Sequence, residues 1–495
     1  GESSSVPGTA AIANAIFDAT GVRFRNPPFT PEVVRAAINP LAAPVTPTPQ
    51  AEQVHRPEVP RSQQPGLLSA WRWQQWGGVL FATLALGAAV VGWRSALPRT
   101  TPVSASFSEA QLQRGAQLAA LGNCVSCHTA EQGATLAGGK AFITPYGMIY
   151  STNLSPDPET GIGAWSYQAF ARAMREGVSR DGHALYPVFP FTSFARMSDE
   201  DMTALYAWLM TQTPVSQTTP APDMVWGLNM RPLLSVWNAV FHNDRQERYD
   251  STQTPQWNRG EYLVNGVAHC GACHTPRNLM GAEQKQTAYM QGAWVDGWQA
   301  PALTSFNHSP MPWREQDFFN YLRKGHAGFH GTANGPMAQV VRNLQTVSDE
   351  DIQAMAMYLS SLNPGAVALD NADFSGRAMA LVDHAANSAP LPDAAARQFA
   401  GSCSACHHDG DGPQLLGVNQ PLALNGNLHS DSPANLVNLI LHGVQQPASR
   451  DIGFMPGFEK SLSKTQIVSL VQWMRQRYAP GKPAWTEQEI NKVMN

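Results

Sequence analysis

At 495 residues the chain has room for about three domains on a prior of ~150 residues each. Charged side chains make up only 14% of it, and a net charge of −4 excludes a nucleic-acid-binding surface as the default reading. So few charges beside 38 Pro, 40 Gly and 14 Trp suit a loop-rich chain with a membrane-associated part better than a cytosolic one.

The opening, "GESSSVPGTAAIANAIF", has neither the basic start nor the short apolar run of a secretory signal. Residues 1–39 read as a tail that belongs to some other kind of protein. Residues 40–72 follow as a linker, with seven Pro between positions 40 and 65 favouring extended backbone. No charge then occurs between Arg72 and Arg94. The 21 residues 73–93 would make a helix of roughly 31 Å, enough for a hydrocarbon core of ~30 Å. Trp71, Trp73 and Trp76 at one end and Trp93 at the other match an interfacial aromatic belt, so 73–97 is expected to be a membrane anchor.

All six cysteines fall in three copies of one pattern: Cys124-Val-Ser-Cys127-His128, Cys270-Gly-Ala-Cys273-His274 and Cys403-Ser-Ala-Cys406-His407. C-x-x-C-H is the attachment pattern of c-type haem. Two thiols add to the vinyl groups at the ring edge, and the following imidazole becomes the proximal iron ligand. Half of a zinc site is excluded because no further cysteines exist to complete it. A redox C-x-x-C does not call for His at the next position three times over. Three covalently bound haem c groups are therefore expected.

The motifs start 146 and 133 residues apart, a repeat of domain size. A helix precedes each motif, and the first two carry Arg-Gly, at Gly115 and Gly260, nine or ten residues before the first Cys. A second helix closes each repeat behind a Ser N-cap (Ser198, Ser348, Ser463) and carries an aromatic residue (Tyr206, Tyr358, Trp473). Glycine facing an aromatic side chain would let the two helices cross closely. The expected fold is mainly α, with three class I cytochrome c-like domains in tandem at 105–215, 255–365 and 393–480. An amphipathic connector (216–254) and a linker (366–392) separate them. The apolar part of that connector, 224–241, rests on a membrane, on a partner or on its own haem domain.

Each haem needs a sixth ligand from the loop before the closing helix. Met337 of "GPMAQVV" and Met455 of "GFMPGF" occupy matching places in the second and third repeats, with His326, His330, His429 and His442 as rivals. His/Met ligation raises the potential and suits electron transfer. The first repeat has Phe189 where a Met would fit, which leaves Met197, with Met230 as the alternative. Since c-type haem is attached outside the bacterial cytoplasmic membrane, the residues beyond the anchor are expected on its periplasmic side.

Residues 105–478 resemble the triple-haem cytochrome subunit of bacterial membrane dehydrogenases, which serves alcohol, gluconate, sorbitol and aldehyde dehydrogenases. The resemblance lies in "TPYGMIYSTNLSPDPETGIGAWS", "GHALYP", "GPMAQVV" and "MPGF". It implies electron delivery from a partner's cofactor to ubiquinone or a terminal oxidase. The first ~35 residues resemble the C-terminal end of the large subunit of xanthine oxidase-family molybdenum hydroxylases. There Glu2 would fall at the active-site glutamate, the base for a molybdenum-bound hydroxyl. Together the resemblances imply a molybdenum-binding large subunit holding molybdopterin and a small subunit holding [2Fe-2S] clusters. They point first to the membrane aldehyde dehydrogenase of acetic acid bacteria, with nicotinate-type hydroxylases and quinoprotein or flavoprotein dehydrogenases as alternatives.

Overall fold

The computed structural model describes residues 94–100, 107–225, 231–242, 249–305, 307–363, 371–388, 393–408 and 420–494. The chain divides into two compact units, Gly1–Gln74 and Gln75–Asn495. Glu2, the Pro-rich linker, the apolar stretch 73–93 and Met230 lie outside the described residues. Among the described residues no helix is long and apolar enough to cross a membrane.

The first repeat begins with α1 (Glu109–Leu121), which Ser108 starts by accepting from the Gln111 amide while the Gln111 side chain returns to the Ser108 backbone. Asn123 then turns left-handed, at φ 53°, into the short α2 (Cys124–Cys127) that carries the motif. A hairpin, β1 (Ala141–Thr144) and β2 (Gly147–Tyr150), follows, then α3 (Tyr167–Glu176), α4 (Phe191–Phe194) and α5 (Asp199–Met210). β3 (Asp223–Met224) pairs antiparallel with β2.

The connector holds α6 (Arg231–Phe241), whose Trp237 is buried against Phe191 and donates from its indole nitrogen to the Met280 carbonyl at 2.8 Å. This helix rests on its own haem-motif repeats, while Val236 and Val240 stay exposed.

The second repeat restates the first. Thr254 caps α7 (Pro255–Tyr262), a π-helical turn covers Leu263–Val267, and His269 at φ 38° leads into α8 (Gly271–His274). The pair β4 (Ala293–Val295) and β5 (Trp298–Ala300), α9 (Glu315–Lys324), the pair β6 (His326–Ala327) and β7 (Gly331–Thr332), α10 (Pro336–Leu344) and α11 (Asp349–Ser361) complete it.

The segment 366–392, read as linker, contains the 17-residue helix α12 (Asn371–Asn387). Its Phe374, Ala378 and Ala385 lie on one helical stripe, and Phe374 is buried beside Met311 and Leu424. The third repeat runs through α13 (Ala394–Ser402), α14 (Gly426–His429), α15 (Ala434–His442) and α16 (Lys464–Tyr478). It extends past residue 480 into α17 (Glu487–Val493), because Trp485 and Ile490 are needed to close its core.

Ser198, Ser348 and Ser463 each cap their closing helix, as their position in the sequence predicts. The close crossings are also real. A Cβ on Gly115 would collide with the Ala204 carbonyl and with Trp208, and one on Gly260 with the Ala354 carbonyl and Tyr358. The aromatic facing Gly115 is thus Trp208 rather than Tyr206. Trp208 stands ten residues after its Ser cap, as Tyr358 does, whereas Tyr206 packs on Tyr167 and Phe170 and donates to the Trp165 carbonyl at 2.8 Å. Gly115→Ala or Gly260→Ala is expected to cost about 1–3 kcal/mol by overpacking. A lowered midpoint in denaturant titration with an unchanged m-value would register it.

The first two repeats share one apolar core. Leu118, Leu121, Leu205 and Leu209 of one meet Tyr262, Leu263, Ile352 and Leu359 of the other. Between them Arg114 pairs with Asp201 at 2.8 Å and Asp351 at 2.9 Å, Arg259 pairs with Asp351 at 2.8 Å, and Tyr262 donates to Asp201 at 2.9 Å. The third repeat joins the second through Asn435, which donates to the Gln299 carbonyl and accepts from its amide, both at 2.9 Å. A small apolar cluster, Ala333, Ala338 and Val341 against Ala448 and Ile452, backs that joint.

Candidate haem centres

The first two motifs are built alike. In each, the residue before the first Cys takes a left-handed turn, and the motif then winds as a single helical turn. Nδ1 of His128 lies 2.6 Å from the Thr152 carbonyl, and Nδ1 of His274 lies 2.7 Å from the Pro301 carbonyl. A carbonyl only accepts, so Nδ1 carries the proton and Nε2 keeps its lone pair, the tautomer an iron ligand needs. Burial holds both imidazoles below their ordinary pKa, with the carbonyl bond opposing only in part, so both are neutral.

The next residue serves the same frame twice. Thr129 accepts from the Leu136 amide and Thr275 from the Met290 amide, each at 3.1 Å, and both Leu136 and Met290 sit at positive φ. These threonines were not singled out from the sequence, although Cys-His-Thr recurs in both motifs.

Burial pushes the Cys124 and Cys270 thiols up to about 12 and the Cys273 and Cys403 thiols up to about 11. A cysteine tuned as a metal thiolate is shifted the other way, so neutral thiols fit thioether formation instead. Among the described residues no three His, Cys, Asp or Glu side chains converge as a metal site.

Both motifs open into one cavity of about 1610 Å³. Its walls carry Cys124, Cys127 and His128 from one repeat and Cys270, Cys273 and His274 from the other. Asp296 raises the pKa of both Cys127 and Cys273, and Cys127 raises that of Cys273, so the second thiols of the two motifs lie within electrostatic reach of each other. The buried Tyr186 hydroxyl on the same wall has no hydrogen-bond partner among the described residues. An apolar cavity edged by paired neutral thiols and a free lone pair on His, with a spare donor in its wall, fits haem with its carboxylate-bearing rim.

The candidate sixth ligands separate clearly. Met337 and His330 both line the cavity. His330 is stacked on Trp313 with ring centroids 4.0 Å apart, and its Nδ1 lies 3.0 Å from the Ser309 hydroxyl. His326 is held in the β6–β7 pair and is not on the cavity wall. Met197 corrects an expectation: it is fully buried in the shared core and is not on the cavity wall, while its carbonyl accepts from Arg175 at 2.9 Å. It immediately precedes the cap Ser198 as the core residue Val347 precedes Ser348, which is why it points inward.

In the third repeat burial lowers the His407 pKa, and its Nδ1 has no hydrogen-bond partner among the described residues. Met455 is half-buried and forms an isolated antiparallel bridge with Val444, its carbonyl accepting from the Val444 amide at 2.8 Å. His429 is engaged by the Ala423 carbonyl, 2.7 Å from its Nε2, and His442 is exposed.

The family model described as "Cytochrome c" matches residues 112–213 and 258–363. The model described as "Cytochrome C oxidase, cbb3-type, subunit III" matches 390–474. The chain is 38% identical to the alcohol dehydrogenase (quinone) cytochrome c subunit of Gluconacetobacter polyoxogenes, over 75% of this chain and 82% of that protein. It is also 38% identical to the gluconate 2-dehydrogenase cytochrome c subunit of Pantoea cypripedii, over 76% of this chain and 88% of that protein. The chain belongs to the family of dehydrogenase cytochrome c subunits. A nicotinate dehydrogenase subunit of Pseudomonas putida matches a further stretch, at 49% identity over 98% of this chain and 39% of that protein. The chain thus spans well under half the length of that relative.

Its cytochrome c domains imply covalently bound haem c, and the relatives that show the family are named as cytochrome c subunits of dehydrogenases. Cys124, Cys127 and His128, and Cys270, Cys273 and His274, would hold two of the groups in the common cavity.

Proposed function

We propose that this chain is the electron-transfer part of a molybdenum hydroxylase of the nicotinate dehydrogenase type, with three haem c groups in three class I cytochrome c-like domains. One observation carries the choice of partner. Similarity to the nicotinate dehydrogenase subunit covers 98% of the chain, whereas the alcohol dehydrogenase and gluconate dehydrogenase relatives cover 75–76% of it. The opening stretch that resembles a molybdenum subunit is therefore shared with the relative whose name carries an N-heteroaromatic acid. The membrane aldehyde dehydrogenase expected from the sequence combines the same parts and is the competing reading.

Haem c supplies a one-electron centre when bound. Around it this chain's residues hold, orient and exclude water. The six cysteines would fix the rings covalently, and His128, His274 and His407 would each offer a ring nitrogen to the iron. Met337 and Met455 would hold the second and third groups from the other side, and a thioether ligand would raise their potentials toward the range suited to passing electrons to ubiquinone or a terminal oxidase. Trp165, Phe194 and Trp313 wall the shared cavity against water. In this reading Glu2 is the base at the molybdenum centre of the large subunit, and [2Fe-2S] clusters of the small subunit feed the haems. Residues 73–97 anchor the assembly to the bacterial cytoplasmic membrane with the haems on the periplasmic side.

The complex purified with its native partners tests this directly. Molybdenum near one per complex, with iron well above the haem iron, is expected. Anaerobic nicotinate should reduce the haem α-band while acetaldehyde does not. Reduction by acetaldehyde alone would move the assignment to the aldehyde dehydrogenase. Absence of molybdenum would remove both.

A further inference from the structure

We propose that the haem held by the first motif has an open sixth position beneath Phe189, where it binds a small neutral diatomic ligand such as carbon monoxide or nitric oxide. The proposal rests on that motif carrying haem c.

The structure sets the two repeats in register across the loop that supplies the sixth ligand. α3 ends at Gly177 and α9 at Gly325, both left-handed, at φ 64° and 77°. Eight residues on, the Leu185 amide donates to the Gly177 carbonyl, and the Ala333 amide donates to the Gly325 carbonyl, both at 2.7 Å. Four residues further stand Phe189 in one repeat and Met337 in the other, and both line the cavity. The first repeat thus presents an aromatic ring where the second presents a thioether. A phenyl ring has no lone pair to give to iron.

Met174, Met224 and Met280 also line the cavity, but none of them stands at the register position that Met337 holds in the second repeat. Met197 lies in the shared core, off the cavity wall. Met174, on the cavity wall, stands three residues before Gly177 on the buried face of α3, where the second repeat has Leu322 before Gly325, and so does not match Met337 in register. His183 is paired with Asp181 at 2.7 Å, and His269 is engaged by the Gly122 carbonyl, 3.2 Å from its Nε2.

Phe189 itself is held in an aromatic cluster, with centroids 5.5 Å from Phe194 and 6.3 Å from Phe191. Phe194, Leu205 and Leu209 continue the apolar wall. An open sixth position on ferrous iron accepts CO or NO, whose binding needs no proton or charge partner.

The experiment uses the full complex, reduced anaerobically and titrated with CO, with EPR of the oxidised form alongside. The expected wild-type result is one CO-binding haem per chain and one axial high-spin ferric signal. Phe189→Met should abolish both, add a third Met–iron charge-transfer contribution and raise one midpoint potential, while Phe189→Leu should keep CO binding. Three low-spin haems that ignore CO in the wild type overturn the proposal even if no variant folds. CO binding that persists unchanged in Phe189→Met overturns it too, because the open haem is then another one. Peptide mass mapping that finds the first motif without haem sinks both this proposal and the reading beneath it.

Discussion

Replacing Met337 with alanine is expected to lower one midpoint potential of the complex by on the order of 0.1 V, part of the ~0.8 V range that axial ligands span. A neutral thioether favours ferrous over ferric iron, and water in its place does not. The side chain is placed for this by its helix start. Gly335 at φ 54° takes a conformation closed to other residues, and a Cβ there would strike the Trp298 ring. Pro336 then fixes the first turn of α10 and brings Met337 to the cavity wall. Met337 also packs against the cluster that joins the second and third repeats, so Met337→Ala should loosen that joint. Met337→His separates the two effects, since it keeps a ligand and the low-spin state while still lowering the potential. A spectroelectrochemical titration in which no midpoint moves in either variant would pass the ligand role to His330.

The repeats, their capped helices and the two glycine crossings were legible because each rests on a local signal: a Ser cap, a helical stripe or an Arg-Gly pair. The linker at 366–392 misled because it was judged by its place between motifs. Its stripe of Phe374, Ala378 and Ala385 is faint, and the core that buries it comes from residues far away in sequence, such as Met311. Met197 misled for a related reason. The sequence itself sets Phe189 where a Met would fit, which leaves Met197 by elimination, but Met197 precedes the Ser198 cap as Val347 precedes Ser348 and so enters the shared core. The backbone bonds at Gly177 and Gly325 bear out the match of Phe189 with Met337. The common cavity of the first two motifs had no signal in the sequence. Arg114 and Arg259 each reach a carboxylate of the other repeat, a pairing across more than fifty residues that no local pattern announces.

Those carboxylates carry the largest stability effect expected here. Asp351 is buried and accepts from Arg259 and Arg114 together. Asp351→Asn removes the charge both guanidiniums answer, leaving them partly buried with Asp201 alone. Breaking a buried pair costs ~3–5 kcal/mol. With the two guanidinium side chains 24% and 35% exposed, water takes up part of the loss, and the lower end of that range is expected. The variant also has a pH signature. Burial by itself would raise the Asp351 pKa, but the hydrogen bonds and charges of Arg259 and then Arg114 outweigh it and hold the carboxyl below its ordinary value. A carboxyl depressed on folding adds stability above its unfolded pKa of ~3.9, and that stability drains away as pH falls through the folded value. Wild-type stability should therefore fall steeply below about pH 4, and Asp351→Asn should be weaker at neutral pH yet flatter in acid. Denaturant midpoints from pH 7 down to pH 3 read both features. Parallel curves for the two proteins would mean the pair is solvated in solution. The joint between the first two repeats would then rest on its apolar core alone, and the two haem motifs would be held in one cavity by packing rather than by charge.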